Sequence, residues 1–217
     1  MLEKILSTGL RNQRLATAFL IATHLAGAIG LILEPTRALF QTLTPLNLLM
    51  TAGVIFHFEK EKTPQYFIFI IATFLIGFFA EALGVKTGMI FGDYTYGNTL
   101  GYKIFNVPLS IGLNWAILIY ISGIVSNQLS ENFWLRISIG AAIMVLLDFL
   151  IEPAAINFDF WTWNSPNIPI QNYAGWFVLS FLIHSLFQKL NFGKRNPLAL
   201  QLLIIQFIFF AVLNLFH

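Results

Sequence analysis

The chain has no cysteine, which excludes disulfides, thiolate catalysis and cysteine-ligated metal centres. Charge is nearly as scarce. Only 10% of the 217 residues are Asp, Glu, Lys or Arg, where a soluble domain carries about 25%. No phosphate loop, GxSxG or HExxH sequence is present, and no nicotinamide or flavin fingerprint. The acid-rich motif by which prenyl-diphosphate enzymes hold magnesium is missing too. The last apolar segment has no Lys, which disfavours a retinal Schiff base. The net charge of +2 is small, and the basic residues flank apolar segments. That is a topology signal, and no nucleic-acid partner is expected.

What remains is apolar: 57% of the residues are hydrophobic. The deficit of charge runs along the whole chain, so the expectation is an all-α polytopic transmembrane bundle, a single integral-membrane domain over residues 1–217. A spanning helix needs about 20 mostly apolar residues. Seven segments qualify: 15–33, 38–58, 65–85, 108–127, 133–153, 173–190 and 197–217. The second and sixth are the weakest. No cleavable signal peptide is evident, and the first apolar run reads as a helix that stays. Nine basic residues (Lys4, Arg11, Arg14, Lys60, Lys62, Arg136, Lys189, Lys194 and Arg195) fall on one side, against Arg37, Lys86 and Lys103 on the other. By the positive-inside rule the N-terminus is inside. Membrane lipid is an expected partner, and the cell inner membrane the expected location.

Two connections are long, 86–107 and 154–172, and both fall on the outer side. They are rich in Gly, Pro, Asn and aromatics, which suits segments folded into the mouth of the bundle. A carboxylate with an aromatic pattern occurs twice. Glu81 is followed at +10, +13 and +15 by Phe91, Tyr94 and Tyr96; Asp148 is followed at the same offsets by Phe158, Trp161 and Trp163. The doubling points to helices three–four and five–six as related, parallel hairpins.

Acids inside a membrane are costly and usually functional. Glu81, late in the third span, reads as a proton donor or charge stabiliser; the alternative is an interfacial carboxylate that snorkels. Asp148 and Glu152 are four residues apart on one helical face, so their charges interact and one tends to hold a proton. Alternatively, Glu152 only caps the helix before Pro153. Asp93 accompanies Tyr94 and Tyr96 in Phe91-Gly92-Asp93-Tyr94-Thr95-Tyr96-Gly97. In extended backbone Trp161 and Trp163 face one side. Aromatic faces stabilise cations, though Trp and Tyr also line membrane interfaces. Asn114-Trp115 and Asn172 with Gly175-Trp176 open two helices, where the amides can orient a water or a carboxylic acid, or simply bond between helices. His24, His57 and His184 lack metal-ligand spacing and read as packing or boundary residues. No metal site is expected.

The stretch from Glu81 to Gly97, EALGVKTGMIFGDYTYG, continues with Leu100-Gly101, Val107-Pro108 and Asn114-Trp115. The second block holds Asp148, Pro153, Trp161-Thr162-Trp163, Pro169, Asn172 and Gly175-Trp176. Together, over roughly residues 81–177, these resemble the signature of CruF-type carotenoid 1,2-hydratases, part of a wider family of membrane carotenoid-biosynthesis proteins. The resemblance implies addition of water to the terminal 1,2 double bond of an acyclic carotenoid end, giving a tertiary alcohol, with a carotenoid as substrate and no organic cofactor. Members of that family often carry Asp before the proline of the second block, where this chain has Glu152.

The residues suit that chemistry. Protonating a trisubstituted alkene gives a tertiary cation, which water traps. The step needs an acid, for which Glu81, Asp93, Asp148 and Glu152 are candidates. It also needs a cation-stabilising wall, which the aromatics can supply, and one controlled water; Tyr94, Tyr96, Asn114, Trp115, Trp161, Trp163, Asn172 and Trp176 are the candidate substrate-binding residues. Two rivals use the same residues: a carotenoid cyclase or isomerase that excludes water, and a small proton-coupled membrane carrier.

Overall fold

A computed structural model describes residues 2–216 of the chain. His217 of the last expected span and the side chain of Lys4 lie outside the described residues. Seven helices are present among them: α1 (Leu2–Ile32), α2 (Glu34–His57), α3 (Pro64–Thr87), α4 (Leu109–Leu129), α5 (Phe133–Asn157), α6 (Ile170–Lys189) and α7 (Ala199–Leu215). Five of these, α1 to α5, are long and apolar enough to cross a membrane. Helix α7 is apolar but has 17 residues. Helix α6 has 20 but carries Gln171, Asn172, His184, Gln188 and Lys189. The seven expected segments therefore all become helices.

Helices form here because lipid offers a backbone no hydrogen-bond partners, so each segment must satisfy its own. Their outward faces carry Leu, Ile and Phe, such as Leu25, Leu49, Phe67, Ile71, Leu146 and Ile208, all exposed. Such residues meet acyl chains at no cost. Helix α4 is the exception. It is apolar on every face and buried along nearly its whole length, packed against α2, α3, α5, α6 and α7. A helix hydrophobic all round belongs at the centre.

The two long connections turn back over one end of the bundle. Between α3 and α4 lie β1 (Tyr94–Tyr96), β2 (Lys103–Ile104) and β3 (Val107–Pro108); between α5 and α6 lies β4 (Trp161–Trp163). Strands β2 and β3 form a small hairpin. Strands β1 and β4 come from the two copies of the doubled pattern, and they pair antiparallel: Tyr94 with Trp163, Thr95 with Thr162 and Tyr96 with Trp161. This ribbon caps the ends of α3 and α5. Gly88 closes α3 at φ 67, a left-handed conformation that suits glycine.

The opposite end is tied by a separate polar knot. Buried Glu59 accepts from the Tyr120 hydroxyl at 2.8 Å and from the backbone N–H of Glu61 at 3.1 Å and Arg195 at 3.3 Å. It joins the α2–α3 connection to the α6–α7 connection.

Candidate functional site

Beneath the ribbon three carboxyl side chains are buried: Glu81 at 3% exposure, Asp148 at 0% and Glu152 at 1%. Every side chain that donates to them is neutral. Glu81 takes three donors. Trp115 Nε1 reaches Oε1 at 3.0 Å, Tyr96 Oη reaches Oε2 at 2.8 Å, and Tyr94 Oη makes a short bond to the same Oε2. Burial, then the adjoining Glu81 carboxyl, holds both phenols well above their usual range. Tyr94 and Tyr96 therefore stay O–H donors at any physiological pH.

In the second copy the donors do not meet the carboxylate from which the sequence offsets are counted. Trp161 Nε1 and Trp163 Nε1 donate to Glu152 Oε2 at 3.1 and 2.8 Å; their partner is Glu152 rather than Asp148. The reason is position along the helix. Glu81 lies six residues before the end of α3, and Glu152 lies five before the end of α5, which runs on through Pro153 to Asn157. A strand folding back over a helix end reaches the last turns first. Asp148 is one turn deeper, beyond reach of the ribbon. For the same reason Glu152 is no terminal cap.

Asn172, near the start of α6, joins the two acids of α5. Its Nδ2 donates to Asp148 Oδ2 at 2.7 Å and to Glu152 Oε1 at 3.1 Å. The other oxygen of Asp148 is buried with no hydrogen-bond partner among the described residues. A buried carboxyl oxygen without a donor is poorly suited to carry charge and well placed to carry a proton.

The expected aromatics converge as well. Trp115 and Trp176 each stand seven residues after the proline that precedes their helix, Pro108 and Pro169. Their rings stack at 4.4 Å and 23°. Across the ribbon Tyr94 meets Trp163 at 5.2 Å and Tyr96 meets Trp161 at 6.0 Å. Gly77 of α3 makes room for Trp115: a Cβ there would lie 2.5 Å from the tryptophan's own Cβ.

Asp93 does not join them. It is exposed at the rim of the ribbon, where its backbone carbonyl accepts from Asn164. In a β-strand successive side chains alternate faces. Tyr94 and Tyr96 point in, and the intervening Thr95 points out. The expected cluster of four acids is a cluster of three.

Two cavities meet at this site. A small chamber of about 20 Å³ is lined by Glu81, Glu152, Asn172 and the aromatics. A larger one of about 230 Å³ lies between α1, α2, α4 and α7 and is lined mainly by apolar side chains. Ile111, Asn114 and Trp161 line both and form the seam between them. The larger cavity was not foreseen. Its polar members include Asn47, Thr51 and a bonded pair, His24 and Gln206, 3.2 Å apart. His24 thus lines a cavity as well as packing. The signal for Gln206 was available: a polar residue inside an apolar span. Among the described residues no three His, Asp or Glu side chains converge in a way that could hold a metal ion.

Comparison with known proteins places the chain. A family described as "Carotenoid biosynthesis protein" matches residues 43–217. A bisanhydrobacterioruberin hydratase from Haloarcula japonica is 27% identical over an alignment that covers 90% of this chain and 72% of the relative. No solved structure matches the chain. The match over most of its length shows that this membrane protein belongs to the carotenoid biosynthesis protein family.

Proposed function

We propose that the protein adds water to the terminal 1,2 double bond of an acyclic carotenoid end, giving a tertiary alcohol. The observation that carries this reading is the seam: a chamber lined by the buried carboxyls of Glu81 and Glu152 and by aromatics shares a wall with an apolar cavity inside a membrane bundle, and Asn172 links Glu152 to the deeper Asp148. The hydratase name of the Haloarcula relative favours hydration over cyclisation or transport.

In this reading the carotenoid end leaves the bilayer for the larger cavity, and its terminal double bond lies at the seam. The Asp148–Glu152 pair supplies the proton. The O–H bond of the carboxylic acid breaks, the alkene's π electrons form a new C–H bond at the less substituted carbon, and the tertiary carbon becomes cationic. Trp161, Trp163, Tyr94 and Tyr96 present electron-rich faces to it; such contacts are worth about 0.5–2 kcal/mol each. Glu81, fixed by its three donors, supplies negative charge. A water oxygen then bonds to the cation, and its surplus proton returns to the carboxylate. The net change is one water, and the enzyme ends as it began, so the cycle calls for no redox cofactor. Asp93, at the rim, is left without a role.

We also place the N-terminus inside and the ribbon end outside, on the nine-to-three division of basic residues. The test of function is expression in a host that accumulates lycopene or a monocyclic carotene, followed by mass analysis of the pigments. A gain of one water supports hydration. A new pigment of unchanged mass indicates a cyclase or isomerase, and no chemical change indicates a carrier.

A further inference from the structure

The cation described above has two ordinary fates. It can be captured by water, or it can lose a neighbouring proton and revert to an alkene. The structure bears on which one wins, and the inference rests on the hydration reading. The chamber beneath the ribbon, about 20 Å³, is the size of a single-water site, which needs roughly 10–15 Å³ and two to four polar partners. It is too small for the branched end of an isoprenoid. The larger cavity, about 230 Å³, is not.

Alkene and water therefore approach the seam from opposite sides. Of the three seam residues, Ile111 is apolar, and the Trp161 N–H is already committed to Glu152 at 3.1 Å. Asn114 is different. It is half-buried, it faces both cavities, and its side-chain amide makes no hydrogen bond to any described residue, though neither amide atom is walled in. The other amide of the chamber, Asn172, is occupied by Asp148 and Glu152. An amide can accept a hydrogen from water and so turn a lone pair of the water oxygen outward.

We infer that the chamber holds one water and that Asn114 presents it to the cation, deciding between alcohol and alkene. With the water held, its oxygen forms the C–O bond and the resulting oxonium gives its proton to the carboxylate of the Asp148–Glu152 pair. Without it, the same carboxylate takes a proton from carbon, the C–H electrons restore a double bond, and no water is added. Both routes return the acid to its starting state and need no other reactant.

The experiment uses the full chain in membranes, with lycopene as the probe, in deuterium oxide. Alcohol is measured together with deuterium in the recovered alkene, which reports protonation followed by proton loss. Wild type should form alcohol. In Asn114→Leu the ratio of alcohol to incorporated deuterium should fall about tenfold or more, the scale of one lost hydrogen bond. Asn114→Ser, which can still bind water, should recover most of that ratio. Asn114→Val stands in if the leucine variant does not fold. An unchanged ratio in the apolar variant, a joint fall of alcohol and deuterium, or a serine variant no better than leucine would each overturn the role of Asn114 while leaving hydration intact. A wild-type protein that forms no alcohol would overturn the hydration reading itself, and this inference with it.

Discussion

Tyr96 and Trp161 face each other across the β1–β4 ribbon, and each donates to a different buried carboxyl, Tyr96 to Glu81 and Trp161 to Glu152. One two-stranded ribbon thus orients acids from two separate helices. It also sets the consequences of changing either side.

Asp148 and Glu81 should respond differently to amide substitution. Asp148 has one oxygen without a partner among the described residues, so Asp148→Asn disturbs little packing but removes a proton donor. Turnover should fall by about 10²-fold or more, with a melting temperature close to wild type. Glu81 accepts from three donors on two oxygens. In Glu81→Gln one oxygen becomes an NH₂ group that cannot accept, leaving at least one buried donor unpaired at a cost of about 1–3 kcal/mol. That variant should melt measurably lower. Equal melting temperatures for the two would contradict the hydrogen-bond assignment.

The indoles of Trp161 and Trp163 have two separable duties, an N–H for Glu152 and a ring face. Phe keeps a face and loses the N–H; Leu loses both. If the faces stabilise the cation, Trp163→Leu should be slower per folded molecule than Trp163→Phe by roughly five- to thirtyfold, the equivalent of about 1–2 kcal/mol. Equal rates would leave the ring as a spacer and the N–H as the only contribution.

Alkaline stability carries the mark of Tyr94 and Tyr96. Both phenols are raised above the ordinary value of 10.0, by burial first and by Glu81 next. A raised value means the folded chain keeps protons that the unfolded chain gives up above about pH 10. Their contribution is therefore complete below pH 10 and is lost as pH rises further. The melting temperature of the wild type should decline steeply above that point, and Tyr94→Phe with Tyr96→Phe should flatten the decline. Melting curves from pH 8 to 12 in detergent would show it.

Filling the larger cavity should block substrate without harming the fold. A Cβ added at Gly27 finds only Phe209 nearby, at 3.5 Å, an ordinary contact. Gly27→Leu should project into the cavity, keep or raise the melting temperature and abolish most conversion of a long carotenoid. Full activity in that variant would mean the carotenoid end enters by another path.

Much of the architecture is legible in the sequence. The segment boundaries of α3 and α5 follow from runs of apolar residues, and the acids stand out because such runs rarely hold them. The doubled offsets of 13 and 15 residues singled out Tyr94, Tyr96, Trp161 and Trp163 as aromatic faces near the acids; that their O–H and N–H groups donate to buried carboxyls came from the structure. The offsets did not say which acid of the second copy the indoles meet, because Asp148 and Glu152 lie on one face a single turn apart and spacing alone does not rank them.

The sequence by itself determined the helices and the inventory of acids, aromatics and amides. Hydropathy acts locally, and a backbone in lipid must bond within its own segment. Tertiary structure decided the rest. It paired β1 with β4 across 67 residues, set Asp93 outside while Glu152 went in, and brought His24 to Gln206 across 182. It also opened a cavity between α1, α2, α4 and α7, with Asn114 at its inner wall. These outcomes depend on how far each helix continues and where each strand returns. Such distances are fixed by the packing of all seven helices together, and no single stretch of sequence contains them.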